Sequence, residues 1–138
     1  KRINQFIKTR NYNRKKIIDK LVKSKYWKNQ FTFLNAANNV KPSWFGLPML
    51  VNSKYIKVKN KFLKYLEKNK VENRPIISGN FLNQPSVNLF GLNSRKTKLP
   101  GAQEIEDRGF FIGVHTKKIN NNELNLLESK LLKISDFK

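Results

Sequence analysis

Apolar residues recur at helical spacing in three separate stretches of this chain, and the apolar runs between them are short and interrupted by proline. In residues 1–22, Ile3, Phe6, Ile7, Ile17, Ile18, Leu21 and Val22 share one side of a helix; in residues 55–69, Tyr55, Val58, Phe62, Tyr65 and Leu66 oppose a lysine face. Beyond Asn120, Leu124, Leu127, Leu131 and Ile134 repeat the pattern, and Asn120 with Glu123 has capping-box spacing. Four apolar runs read as strands: an edge strand within Tyr26–Phe33, then 43–51, 71–77 and 110–115. Pro48 predicts an edge or a bulge for the second, and Pro75 restricts the third. Residues 35–42 read as a polar loop. Residues 78–107 read as a long irregular stretch holding Gly79, Pro85, Gly91 and Pro100, with a short helical piece from Ala102 to Arg108. This order predicts an α/β (α+β) fold, a small antiparallel or mixed sheet of three or four strands with helices packed on one face. The other face needs cover, which a larger partner domain supplies naturally.

The 138 residues make one domain around one core, and 38% hydrophobic and 12% aromatic residues are enough to fold it. Zero cysteines exclude disulfides and thiolate metal sites, and a single His excludes a multi-histidine site in one copy, so no metal is expected. No apolar run is long enough to cross a bilayer and no secretory signal is present, so the expectation is a cytoplasmic protein with no membrane partner. The chain starts at Lys1 rather than Met and reads as a fragment. A net charge of +20 raises nucleic acid as a partner, and residues 1–30 hold eleven Lys or Arg against Asp19 alone. Lys, however, outnumbers Arg 23 to 6, and arginine is the residue that reads guanine and phosphate bidentately. A small basic nucleic-acid-binding domain is kept as an alternative reading.

Three groups of residues stand where a ligand could sit. Arg74 lies near the start of a strand, and Ser78-Gly79-Asn80 follows its end; Gly79 permits close backbone approach, and Asn80 donates and accepts at once. Asn83-Gln84-Pro85 extends the same loop with amides suited to a hydroxyl-rich ligand. The plainer alternative is an ordinary polar turn. His115 ends the Phe110–Val114 run, either as a strand terminus or as a group that binds phosphate or moves a proton. Trp44 and Phe45 could stack on a ring or pack in the core. Glu104, Glu106 and Asp107 read as a solvated helix face. No phosphate loop, cysteine nucleophile or Ser-His-Asp set is present, so nothing makes a self-contained active site.

Taken in order, these segments resemble the C-terminal domain of the DegT/StrS group of PLP-dependent nucleotide-sugar aminotransferases and dehydratases. The resemblance runs through Lys1-to-Arg10 with Asn13, Pro42-Ser-Trp-Phe-Gly46, Asn69-to-Pro75, Ser78-Gly79-Asn80 with Gln84-Pro85, Leu99-to-Gly109 and Phe111-to-His115, nearly the whole chain. It departs at Asn83, where Arg is frequent, and at Thr116, where Pro is usual. The resemblance implies the small domain of a fold-type I enzyme, with 1–22 the helix linking it to a large PLP-binding domain. It implies a homodimer acting on a nucleotide-linked keto sugar for surface polysaccharide or lipopolysaccharide, with Arg74, Ser78, Asn80, Gln84 and His115 on the substrate side. In that group the Schiff-base lysine that carries the cofactor lies in the large domain, which the resemblance places outside this chain. No catalytic residue is therefore expected in this chain, its cofactor-binding residues are unknown, and alone it should be inactive. The Arg74–Pro85 and Ser43–Gly46 pieces also resemble the nucleotide-hexulose 3-dehydratase branch, which leaves aminotransferase and dehydratase both open.

Overall fold

Helical periodicity becomes helix wherever it was longest. In the computed structural model, which describes residues 2–92 and 97–137, α1 spans Arg2–Val22 and α2 Lys59–Lys68, the latter entered through a 3-10 segment, Ser53–Val58, capped by the Asn52 side chain. The last helix, α5, spans Asn121–Leu131, and the expected capping box is present in both directions: Asn120 accepts from the Glu123 N–H, and Glu123 accepts from the Asn120 N–H. A further 3-10 segment, Leu132–Asp136, follows it.

Four strands, β1 (Phe31–Phe33), β2 (Gly46–Val51), β3 (Asn73–Arg74) and β4 (Gly109–Gly113), form one antiparallel sheet in the order β1-β2-β4-β3. Register follows side-chain burial. Leu47 pairs with Ile112 and Met49 with Phe110, so these four project to one side, where Ile17, Leu21, Phe62, Leu66, Leu131 and Ile134 are buried against them. Phe31, Phe62 and Phe110 sit at its centre with ring centroids 6.0–6.3 Å apart.

Pro48 does not take the edge or bulge that its missing N–H predicts. It stands in β2, an inner strand, and its neighbours explain how. Against β4 it occupies a position that makes no ladder bonds, opposite Phe111. Its carbonyl faces β1 and accepts from the Leu34 N–H at 3.4 Å. The return bond to the Leu34 carbonyl is the one a proline cannot make. Arg14 of α1 makes it instead, its guanidinium donating to that carbonyl at 2.6 Å while stacking 4.4 Å over the Trp44 ring. Burial lowers the Arg14 guanidinium from its ordinary value. The regular pairing of β1 ends just there, at Phe33.

Two other expectations shorten or sharpen. The third strand is only Asn73–Arg74, because Pro75 cuts it off at an edge. The stretch 78–107 contains a 3-10 segment, Phe81–Asn83, a short helix α3, Pro85–Leu89, and α4, Pro100–Arg108; residues 93–96 within it lie outside the described residues. Its large apolar side chains mostly point outward, Leu89 at 77%, Phe90 at 69% and Leu92 at 61% exposure, as does Ile77 just before it. On the sheet's second face, α4 and Ile76 reach only the Gly109 end, where an added Cβ would collide with the Ile105 carbonyl.

Replacing Arg14 with Ala should cost about 1–3 kcal/mol, since it leaves the Leu34 acceptor unmet. In urea denaturation the Arg14→Ala, Pro48→Ala double variant should recover part of that loss. No recovery would show that the proline is not what makes the arginine necessary.

Candidate functional site

Asn13, Ile17 and Leu21 lie four residues apart and share the buried stripe of α1. An amide placed there must be bonded or it destabilises the fold. Asn13 is fully bonded: Nδ2 donates to the His115 carbonyl at 2.9 Å and the Lys117 carbonyl at 2.7 Å, and Oδ1 accepts from the Ile119 N–H at 3.0 Å. The chain leaving β4 is thus folded around one side chain. That arrangement leaves the His115 imidazole exposed on a cleft of about 670 Å3, lined also by Arg10, Lys117 and Lys118. A second cleft of about 870 Å3, lined by Arg74, Pro75 and Phe111, adjoins it, and Phe45, Glu72 and Gly113 line both.

Arg74 stands exposed on β3 and pairs with Glu72 at 2.7 Å. An ion pair so exposed contributes only about 0–1 kcal/mol, so an anionic ligand can compete for the guanidinium. Phe45 is 62% exposed and meets Phe111 edge to face, with centroids 5.5 Å apart. The Phe111 ring also covers Gly46, where an added Cβ would lie 2.6 Å from it. Trp44, by contrast, is half-buried beneath Arg14.

The loop after β3 is built differently. Ser78 and Gly79 both adopt left-handed backbone, with φ of 69° and 48°. Asn80 is buried, and its polar groups are taken within the chain. Its N–H donates to Glu106 Oε2 at 2.6 Å, Nδ2 donates to Gln103 Oε1 at 3.0 Å, and Oδ1 accepts from the Leu82 N–H at 3.1 Å. Asn83 Nδ2 donates to Gln103 Oε1 and Glu106 Oε1, at 2.9 and 3.1 Å. Gln84 Nε2 reaches back to the Ser78 carbonyl at 3.3 Å. Glu106 is therefore no idle member of a solvated helix face; its carboxylate holds the loop.

The structure brings Arg74 and His115 onto adjoining clefts and groups Ser78, Asn80 and Gln84 on a separate loop that lines neither. Gln103, Glu106 and the bonding role of Asn13 are the residues that sequence reasoning missed. Spacing could have found them. Asn13 interrupts an apolar stripe at i, i+4, i+8, and Gln103 with Glu106 lies on one helix face at i, i+3. Among the described residues no group of acids, His or Cys could hold a metal ion.

Asn13→Ala should lower stability by about 2–4 kcal/mol, because it strands two carbonyls and an N–H. Urea denaturation measures it. A loss under about 0.5 kcal/mol, the range of ordinary surface substitutions, would mean the loop holds its shape without the amide.

No family model matches the chain. Two curated relatives do. The GDP-4-keto-6-deoxy-D-mannose 3-dehydratase of Escherichia coli O55:H7 is 24% identical over 115 residues, covering 83% of this chain and 28% of that protein. The enzyme of the same name from Yersinia pseudotuberculosis is 29% identical over 84 residues, 61% of this chain and 21% of it. The chain thus spans about a quarter of the relatives it matches. Among solved structures, a GDP-4-keto-6-deoxymannose-3-dehydratase (ColD) variant with bound GDP-perosamine superposes with a TM-score of 0.73 at 23% identity, over 93% of this chain and 31% of that one. The E. coli 3-dehydratase with bound hydrated PLP gives 0.69 at 21% identity, over 93% and 31%. Helicobacter pylori PseC, an aminotransferase of pseudoaminic acid biosynthesis, gives 0.72 at 18% identity, over 95% and 33%. The fold is that of a small α/β domain found in these enzymes, and the resemblance carried by the motifs holds: the chain is similar to sugar aminotransferases and sugar dehydratases of the DegT/StrS kind.

Proposed function

We propose that this chain is the C-terminal, substrate-side domain of a PLP-dependent aminotransferase that acts on a nucleotide-linked keto sugar for polysaccharide or lipopolysaccharide. The observation that carries the reading is the fold likeness over 93% of this chain to about a third of a sugar-modifying enzyme, 31% of that chain. The ordered motifs support it, and so does the presence of an aminotransferase, PseC, among the structural neighbours. A second reading, a nucleotide-hexulose 3-dehydratase, is favoured by one observation: both matching curated relatives carry that activity in their names. Homodimer assembly and a cytoplasmic location go with either reading.

In this reading the residues described do not by themselves form a cofactor site. Lys59 is the lysine whose ammonium burial draws below its ordinary value, against the opposing pull of Asp107 and Glu106, and it is spent on the Glu106 carbonyl at 2.8 Å. The donors around Asn80 are taken by Glu106 and Gln103. Bound PLP supplies an electron sink, and in this reading residues outside the chain hold it. This domain's part is to receive and orient substrate. Arg74 offers a forked cation to a diphosphate, Phe45 and Phe111 offer ring faces, and His115 with Arg10 extends the positive edge. Ser78 and Gln84 present the polar loop, with Asn80 holding it in place.

The test uses the whole protein that contains this chain. It should bind PLP and, given glutamate, convert a nucleotide-linked 4-keto sugar to the amino sugar, read by mass spectrometry. Replacement of the C3 hydroxyl by hydrogen with the 4-keto group retained, the electrons coming from glutamate, would instead establish the dehydratase. Neither product from any nucleotide-linked keto sugar would refute both readings. In the active protein, Arg74→Ala should raise KM for the sugar nucleotide about tenfold, the loss of one charge-assisted contact, and leave kcat within about twofold. An unchanged KM removes Arg74 from the substrate site. The 138-residue chain alone should turn over nothing.

A further inference from the structure

We infer that Glu106 is a positioning residue that sets the Ser78–Asn80 turn for substrate, an inference that rests on the function proposed above. The turn is costly to hold in its present form. Ser78 is a non-glycine residue at φ 69° and Gly79 follows at φ 48°, a pair of left-handed residues that the backbone does not adopt unaided at the serine. Directly after them, the Asn80 N–H points at an anion, the Glu106 carboxylate, at 2.6 Å. The other oxygen of that carboxylate accepts from Asn83, so one side chain clamps both ends of the 3-10 segment between them. Gln103, one turn earlier on the same helix face, bonds the same two asparagines.

The clamp works only if α4 is itself fixed, and it is fixed from two sides. Lys59 of the neighbouring helix donates to the Glu106 carbonyl at 2.8 Å, and Arg108 Nε donates to the Val51 carbonyl of β2 at 2.8 Å. Position is thereby relayed from the sheet through α4 to the turn. Gly79 fits under the same residue: a Cβ there would lie 3.0 Å from Glu106 Cβ and Cγ. With Asn80 consumed in this frame, the groups left to meet a hydroxyl-rich or phosphate-bearing ligand are the exposed Ser78 and the Gln84 beside it. Asn80 is thus a positioning residue rather than a substrate contact.

The experiment compares the whole wild-type protein with Glu106→Ala and with Glu106→Gln, which keeps the shape and one acceptor in case the alanine variant does not fold. Wild-type turnover of a nucleotide-linked keto sugar is measured first; its absence refutes the functional reading, and the inference with it. Given turnover, hydrogen exchange should accelerate in the 78–84 segment of Glu106→Ala while 47–51 and 110–112 stay protected. KM should rise about tenfold with kcat within about twofold, and Glu106→Gln should fall between. Faster exchange with unchanged KM would show that the turn does not face substrate. Unchanged exchange would show that Glu106 does not hold it. Equal loss of protection across the sheet, with kcat falling and KM constant, would make Glu106 merely structural. Each of these three outcomes overturns the inference.

Discussion

Three hydrogen bonds to one buried amide determine where the cleft-bearing edge of this domain can stand. Asn13 and the segment after β4 are more than a hundred residues apart in the chain, yet the amide bonds the backbone at His115, Lys117 and Ile119. An asparagine in an apolar stripe has no neutral option: it is matched or it costs the fold. Once matched, it orients α1 against the sheet, and the other cations of that helix follow. Arg10 comes to the cleft beside His115, and Arg14, one turn closer to the core, reaches the β1 carbonyl that Pro48 leaves without a donor.

The second organising element is α4, which carries little of the core and much of the geometry. Its last turn is held by Lys59 and by the Val51 carbonyl, and its side chains hold the loop that follows β3. Arg108 also pairs with Glu104 within the helix, keeping the guanidinium aligned for the strand. The result is a division between two clefts shaped by β3, β4 and α1, and one loop shaped by α4. Arg74 and His115 belong to the first, Ser78 and Gln84 to the second.

How far the sequence could be read depended on whether the deciding contact was local. Helical stripes and the Asn120 capping box are local, and α1, α2 and α5 stand where their periodicity put them. Pro75 ended its strand as a missing N–H requires. Pro48 misled because its tolerance depends on Arg14, thirty-four residues earlier, which periodicity does not reveal. The donor and acceptor capacity of Asn80 is visible in the residue type, whereas its bonds to Gln103 and Glu106 depend on tertiary placement. Glu106 was read as solvated for the same reason. Motif order carried the fold further than any single segment, since it constrains the whole path of the chain at once.

The outward-facing apolar side chains of 77–90 sit on a protein of net charge +20, and the two features oppose each other in solution. At low ionic strength, like charge keeps molecules apart at distances of about 30 Å at 0.01 M, before apolar surfaces can touch. Added salt shortens that reach to about 8 Å at physiological strength and leaves the apolar attraction intact. The colloidal behaviour of this domain therefore runs opposite to that of an assembly held by ion pairs: dilute buffer disperses it, and salt gathers it.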